Sequence, residues 1–215
     1  MTFYVLTIFP RIFDSYLNES IIGRARKNKI INTKICNLRD WTIDKHKTVD
    51  DTPYGGGAGM VMKVEPIYKA LRALKSKIKN QKSKIILMSA KGKKWDQQMA
   101  KRYAKLDNVI MVCGRYEGVD ERIKKFIDEE ISIGDYVLTG GEIGAITIID
   151  SVTRLLPGVL GNPKSLNHES HSIPGLLEYP QYTRPDIFKK YKVPKILLSG
   201  DHKKIEAWRK KKTRF

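Results

Sequence analysis

The chain has 215 residues and a mass of 24.7 kDa, enough for one sizeable core and at most two domains. Hydrophobic residues make up 41%, with three Trp, ten Tyr and six Phe, which excludes a disordered polyelectrolyte despite 41 Lys and Arg against 23 Asp and Glu and a formal charge of +18. A sequence pI near 9.8 points to a polyanionic partner, and to nucleic acid before a membrane surface, because no basic amphipathic helix carries a large aromatic face.

The opening "MTFYVLTIFPRIFDSYL" is apolar, lacks a positive leader and a small-residue cleavage site, and is interrupted by Pro10 and Arg11. Residues 3–9 alternate like a strand; "ESIIGRARKNK" reads as a helix and "INTKICNL" as a second strand. The stretch "RDWTIDKHKTVDDTPYGGGAGMVMKVEP" follows, of a length that in compact domains is usually functional. Its "YGGGAG", taken alone, reads as a flexible loop. From residue 66 the pattern turns regular: a basic amphipathic helix to 79, the strand "KIILMSA", a helix from Asp96 to Lys105, the strand "NVIMVCG" and a helix over 119–129. "SIGDYVLTGGEIGA", residues 132–145, then leaves an apolar strand and enters the helix "EIGAITIIDSVTRLL" without a single Lys or Arg. Alternation of strand and helix predicts a parallel sheet with helices on its faces, and the continuous apolar runs "IILM" and "VIMV" suit doubly covered strands. Pro157 stops the periodicity, and the Pro-, Gly- and Ser-rich residues 157–185 read as a linker or lid. The last segment, "VPKILLSGDHKKIEAWRKKKTRF", offers Asp201 or Ser199 as a helix cap and ends in a basic helix.

Several chemistries are unsupported. Cys36 and Cys113 are too few for a disulfide framework or a zinc site and read as buried small hydrophobes. His168-Glu169-Ser170-His171 lacks the i, i+4 spacing of a zinc-binding pair, and no metal cage is indicated. "NES" at 18–20 carries no glycosylation meaning without an export signal. No apolar run approaches a membrane span, so a cytoplasmic protein is expected. Phosphate-binding glycine motifs are absent as well. Three strands nevertheless end in polar, glycine-rich loops, "LMSAKGKK", "VCGRYEGVDER" and "SIGDYVLTGGE". Ligands of open parallel sheets bind at the carboxyl ends of strands, so the three loops together predict one site. The cation-free third loop suits a ligand that is uncharged overall or cationic and is gripped by backbone groups.

"VDDTPYGGGAGMVM", "CGRYEGVDER", "SIGDYVLTGGE", "LLPGVLGN", "GLLEYPQYTRP" and "LLSGDHKKIEAWR" occur in this order from residue 48 to 209. Together they resemble the bacterial tRNA (guanine-37-N1)-methyltransferases, of the knotted SPOUT class. The resemblance implies an α/β fold with a parallel sheet flanked by helices and a deep C-terminal trefoil knot, plus a small, mainly helical C-terminal domain. It divides the chain into a knotted cofactor-binding domain at 1–160, a linker or lid at 161–185 and a tRNA-binding domain at 186–215. It further implies S-adenosylmethionine as cofactor, whose sulfonium a nearby cation would repel, and Mg2+ only as a diffusible ion with no site readable from sequence. A homodimer acting on the tRNA anticodon stem-loop is implied, with no DNA or membrane partner. Two alternatives stay open: a SPOUT methyltransferase for another RNA position, or a knotted RNA-binding module without catalysis.

Carried over residue by residue, the resemblance places the cofactor against Leu87, Ser89, Gly114, Tyr116, Glu117, Ile133, Gly134, Tyr136, Leu138, Gly140 and Gly141. The glycines are expected to let backbone groups approach the ligand closely. Arg154 matches the family arginine that stabilises charge at guanine O6, and Glu169 stands where the family carries an aspartate as general base for the N1 proton. The second departure is at the C-terminus. Family members continue for tens of residues past the "IxxWR" helix, so a reduced anticodon-stem clamp is expected, with "WRKKKTRF" and the basic helix at 66–79 supplying phosphate contacts.

Overall fold

Alternating apolar residues in the first strand turn out to serve two cores at once. The structure is a computed structural model that describes residues 1–78, 81–162, 165 and 169–214. The chain divides into two compact units, Met1–Gly161 and Asn162–Phe215.

The first unit is built on five parallel strands: β1 (Thr2–Thr7), β2 (Asn32–Asn37), β5 (Ser83–Lys94), β6 (Asn108–Cys113) and β7 (Glu129–Ser132), in the spatial order β2-β1-β6-β5-β7. A separate antiparallel pair, β3 (Asp50–Asp51) and β4 (Val61–Met62), lies in the long second connection. In β1, Phe3 and Val5 enter one apolar cluster, while Tyr4 and Leu6 enter another. The same division runs through β6, with Val109, Met111 and Cys113 on one side and Ile110 and Val112 on the other. The period-2 pattern expected of a half-buried strand is therefore present, but both faces are covered, as an all-parallel sheet requires.

Helices supply those covers. On one side lie α2 (Ser20–Lys27), α4 (Gln97–Tyr103) and α5 (Glu142–Thr153), through residues such as Ile22, Met99 and Ile148. Opposite them α3 (Val64–Lys77) buries Ile67, Ala70, Leu71 and Leu74, spaced at three and four residues. The short α1 (Asp14–Asn18) precedes α2. Asp96 caps α4, its carboxylate accepting the Met99 N–H at 2.7 Å.

Three sequence expectations are corrected. The helix expected over 119–129 is a 3-10 turn at Glu121–Phe126, because Asp120 accepts the Arg122 N–H and the chain must already enter β7 at Glu129. β5 continues past "KIILMSA" to Lys94, with its pairing to β7 interrupted between Met88 and Lys93. Gly92 lies in that interruption, where a Cβ would sit 2.4 Å from the Ile131 nitrogen. Cys113 is fully buried, but Cys36 is only partly so. The predicted helix end at Lys79, the histidine His168 and the terminal Phe215 lie outside the described residues.

The second unit holds the expected basic helix, α6 (His202–Lys212), and of the two proposed caps Asp201 serves, accepting the Lys204 N–H at 3.1 Å. A 3-10 turn at Lys195–Leu198 precedes it. Beside these elements stands a hairpin that the sequence reading lacked, β8 (Ile187–Phe188) and β9 (Tyr191–Lys192). Strands of two residues around a Lys-Lys turn carry neither length nor turn signal.

Candidate active site

Because β6, β5 and β7 are neighbours and parallel, their carboxyl ends meet at one sheet edge, and the three loops that leave them enclose a cleft of about 240 Å3. That is roughly eight times a water molecule's share of liquid volume, ~30 Å3, which suits an organic molecule rather than a lone ion. Leu87, Ser89, Gly114, Tyr116, Glu117, Ile133, Gly134, Tyr136, Leu138, Gly140 and Gly141 all line it. Leu87 and Ser89 come from β5, Gly114 to Glu117 from the loop after β6, and the remainder from residues 133–141. The sequence reading missed Arg115, Val119, Val137 and Thr139, which line the cleft from the same loops.

Backbone geometry explains the loop chemistry. Gly141 donates its N–H to the Gly114 carbonyl at 3.0 Å, joining the second and third loops. A Cβ on Gly141 would lie 2.8 Å from the Cys113 Cα, so only glycine permits this crossing. Tyr116 holds a left-handed backbone, φ +58°, unusual for a non-glycine residue and of the kind found at functional sites. Its neighbour Glu117 donates its N–H to the Met60 carbonyl at 3.0 Å. That bond, one residue past the glycine-rich "YGGGAG" stretch, holds the end of the stretch against the cleft, and a Cβ on the preceding Gly59 would meet the Glu117 side chain at 2.7 Å. A Cβ on Gly55 or Gly56 would meet nothing within 4 Å.

Beneath the cleft sits a polar clasp. Glu142, the first residue of α5, is only 2% exposed. Its Oε1 accepts the Thr7 hydroxyl at 2.7 Å, and its Oε2 lies 3.3 Å from Arg115 Nε, near enough for ion pairing but unaligned for a hydrogen bond. Arg115 in turn donates to the Thr139 carbonyl at 2.9 Å and stacks 4.6 Å from the Phe9 ring. Three chain segments are thereby fastened together: the end of β1, the loop after β6 and the loop after β7. Gly140 belongs to this clasp, since a Cβ there would sit 2.4 Å from Arg115 Nε and 2.5 Å from Glu142 Oε2. The expectation that Gly140 clears space for a ligand is thus joined by a second cause, the guanidinium beside it.

Although Arg115 and Lys124 line the cleft, their charges are spent internally. Lys124 pairs with Glu121 at 2.5 Å and Glu130 at 2.8 Å, and these carboxylates push its pKa up. Asp120 is held below the usual carboxylate range, first by its hydrogen bonds to the Arg122 side chain. Burial, and then the Glu142 carboxylate, drive the Cys113 thiol well above its ordinary pKa, leaving it an inert packing group. A cationic ligand therefore meets carboxylates and carbonyls, with the Arg115 and Lys124 charges compensated; Lys91, which also lines the cleft, is exposed to solvent. Leu87, Ile133 and Leu138 add apolar surface of the kind that grips a flat base.

Arg154 follows α5 directly, half buried, its N–H bonded to the Asp150 carbonyl at 3.2 Å. Glu169 belongs to the second unit, is likewise half buried, and its carbonyl accepts the Ser172 N–H at 3.0 Å. The eleven cleft residues are brought together within one unit, whereas this pair is divided between two.

Comparison with known proteins identifies the family. All of residues 1–215 match the family described as tRNA (Guanine-1)-methyltransferase TrmD. Proteins named tRNA (guanine-N(1)-)-methyltransferase from Citrifermentans bemidjiense and Dictyoglomus turgidum are 54% and 55% identical, covering 98% and 96% of this chain and 84% and 82% of their own. The crystal structure of tRNA (m1G37) methyltransferase from Aquifex aeolicus superposes with a TM-score of 0.81 at 41% identity, over 97% of this chain and 87% of that one.

Proposed function

The chain belongs to the tRNA (guanine-1)-methyltransferase family, and we propose that its three-loop cleft holds S-adenosylmethionine while the chain methylates N1 of guanosine 37 in tRNA. The enzyme class follows from the family; the position follows the m1G37 activity named for the Aquifex protein. What carries the cofactor assignment is the cleft wall of residues 133–141, which holds no Lys or Arg and faces carboxylates, with Arg115 and Lys124 already paired and Lys91 exposed to solvent. Bound there, S-adenosylmethionine supplies an electrophilic methyl group carried on a positive sulfur. Loop carbonyls and the Glu117 carboxylate favour that positive charge, and the Gly141–Gly114 crossing pre-forms the wall.

The reaction replaces the N1–H bond of guanine by an N1–CH3 bond, so a proton must leave. Glu169 takes that proton, and Arg154 stabilises the negative charge that develops at O6. Glutamate in place of aspartate keeps the chemistry and lengthens the arm by one methylene. In this reading residues 1–160 bind cofactor, 161–185 form the lid and 186–215 bind tRNA, in a cytoplasmic homodimer whose lid covers the partner's cleft. The class's trefoil knot belongs to the same proposal, and the close backbone crossing at Gly141 supports it. Mg2+ enters only as a diffusible ion; among the described residues no cluster of three His, Cys, Asp or Glu side chains is placed to hold a metal.

Position-mapping tests this directly. Purified protein, S-adenosylmethionine and tRNA transcripts with G or A at position 37 are incubated, and N1-methylguanine is located by reverse-transcriptase arrest. Arrest at 37 in the G transcript alone is expected; arrest elsewhere would give the enzyme another target, and no methyl transfer would overturn the reading.

A further inference from the structure

The hairpin of β8 and β9 has a composition that packing does not explain. Its register pairs Phe188 with Tyr191 across a two-residue turn, so both rings leave the same face. They are 63% and 66% exposed, and Ile187 is exposed beside them. Lys189 and Lys190 form the turn, each with its ammonium over one of the rings, at 5.8 Å from Phe188 and 5.7 Å from Tyr191. Lys192 pairs opposite Ile187. Lys189 is held at φ +55°, a conformation that glycine or asparagine adopts at lower cost. A lysine here works against the turn, which draws attention to its charge.

Positive charge also surrounds the hairpin in sequence. Between 186 and 214 the cations are Lys189, Lys190, Lys192, Lys195, Lys203, Lys204, Arg209, Lys210, Lys211, Lys212 and Arg214, against Asp186, Asp201 and Glu206. Exposed aromatic rings among cations form a platform for stacked bases with phosphates alongside, since every base has a π-face. Two rings without lysines would fit a protein partner equally well, but the excess of cations over 186–214 favours a polyanion.

We propose that the tip of this hairpin is a stacking platform for unpaired bases of the tRNA substrate, with Phe188 and Tyr191 against the bases and Lys189, Lys190 and Lys192 on the adjoining phosphates. The inference rests on the tRNA reading and adds to it a second, non-catalytic contact that grips single-stranded RNA. Its two components respond differently to salt: stacking is salt-independent, whereas each lysine on a single-stranded phosphate contributes about 0.7 to the slope of log affinity against log salt.

The test measures binding of full-length tRNA by the whole chain over a salt series, alongside methylation. Phe188→Ala and Tyr191→Ala should each weaken binding about 5- to 100-fold with an unchanged salt slope. Phe188→Leu and Tyr191→Leu, which keep apolar bulk without a π-face, should recover little. Lys189→Gly is the decisive variant: it relieves the left-handed backbone, so the unfolding midpoint should hold or rise, while tRNA affinity and the salt slope both fall. Each weakened variant should need correspondingly more tRNA to reach half its maximal methylation rate. An RNA duplex closed without unpaired bases should bind parent and ring variants alike. If the ring variants bind tRNA like the parent, or if sedimentation shows that removing the rings splits an oligomer without weakening RNA binding, the platform is refuted and the tRNA reading stands. A parent that neither binds nor methylates tRNA would remove both.

Discussion

Substituting Gly140 by alanine separates two reasons for a glycine in the cofactor loop. If the residue only clears space for a ligand, the ligand-free protein should tolerate a methyl group. The clasp predicts otherwise, because the added Cβ would lie 2.4 Å from Arg115 Nε, 2.5 Å from Glu142 Oε2 and 2.7 Å from Arg115 Cδ. Relief requires the guanidinium to retreat by about an ångström, toward ordinary van der Waals distance. At an effective dielectric of about 20, the Arg115–Glu142 attraction at 3.3 Å is about 5 kcal/mol, and that retreat removes about 1 kcal/mol of it. The hydrogen bond to the Thr139 carbonyl goes as well, a charged donor worth about 1.5–3 kcal/mol. The total, about 2.5–4 kcal/mol, is comparable to the cost of stranding a buried charge such as Glu142.

For a chain of this size each kcal/mol lowers the unfolding midpoint by about 2–4 °C, so the first unit of Gly140→Ala should melt about 5–16 °C lower without any ligand. Calorimetry on cofactor-free protein measures this. In an Arg115→Ala/Glu142→Gln background the same substitution should cost little, because the groups it displaces are gone. An unchanged midpoint in Gly140→Ala, together with lost cofactor binding, would refute the clasp and return the glycine to the ligand.

Other consequences follow from the proposed base and from the shifted groups. Glu169→Gln should slow single-turnover methylation about 10²- to 10⁴-fold with cofactor and tRNA binding nearly intact, Glu169→Asp should keep substantial activity, and Arg154→Ala combined with Glu169→Gln should cost less than the two losses added. Phenolate absorbance should show Tyr16 titrating late, since its hydrogen bond to Asp150 raises its pKa from 10.0 to about 12. Because the folded pKa is the higher one, the stability this bond contributes is complete below pH 10.0 and is lost as the pH rises toward 12; Asp150→Asn should move the titration back toward 10.0. A thiol reagent should modify the partly exposed Cys36 slowly and leave Cys113 untouched until unfolding, because burial raises both thiols and fully encloses only the second. Equal rates for the two would contradict the burial of Cys113.

Much of the sheet was legible in the chain because burial repeats along it. "IILM" and "VIMV" are apolar at every position, and the structure covers both faces of the strands that contain them. The cleft was legible for a related reason: strand-ending loops rich in glycine must meet at one edge when the strands are parallel and adjacent. The clasp was not, since Thr7 and Glu142 are 135 residues apart and no local pattern announces a pair that only the folded sheet brings within 2.7 Å. A glutamate at the start of an apolar helix reads as a favourable helix-dipole partner, which Glu142 is, and that adequate local account conceals its burial.

The two failures with local elements share a cause. Residues 119–129 hold Ile123, Phe126 and Ile127 at helical spacing, yet the approach to β7 leaves room only for a short 3-10 helix, so tertiary reach overrides periodicity. Around 187–192 the sign is reversed: the chain turns at Lys189 and Lys190, residues that disfavour that turn, so a rule built on turn propensity passes over the hairpin. In both places the local sequence disagrees with the fold, but only at the hairpin does the disagreement leave costly residues exposed to solvent. Conflict absorbed by packing, as at Ile123, is fully accounted for by the core it joins. Exposed conflict has no such account within the chain, and it is therefore the hairpin, and not the 3-10 turn, whose residues call for a partner from outside.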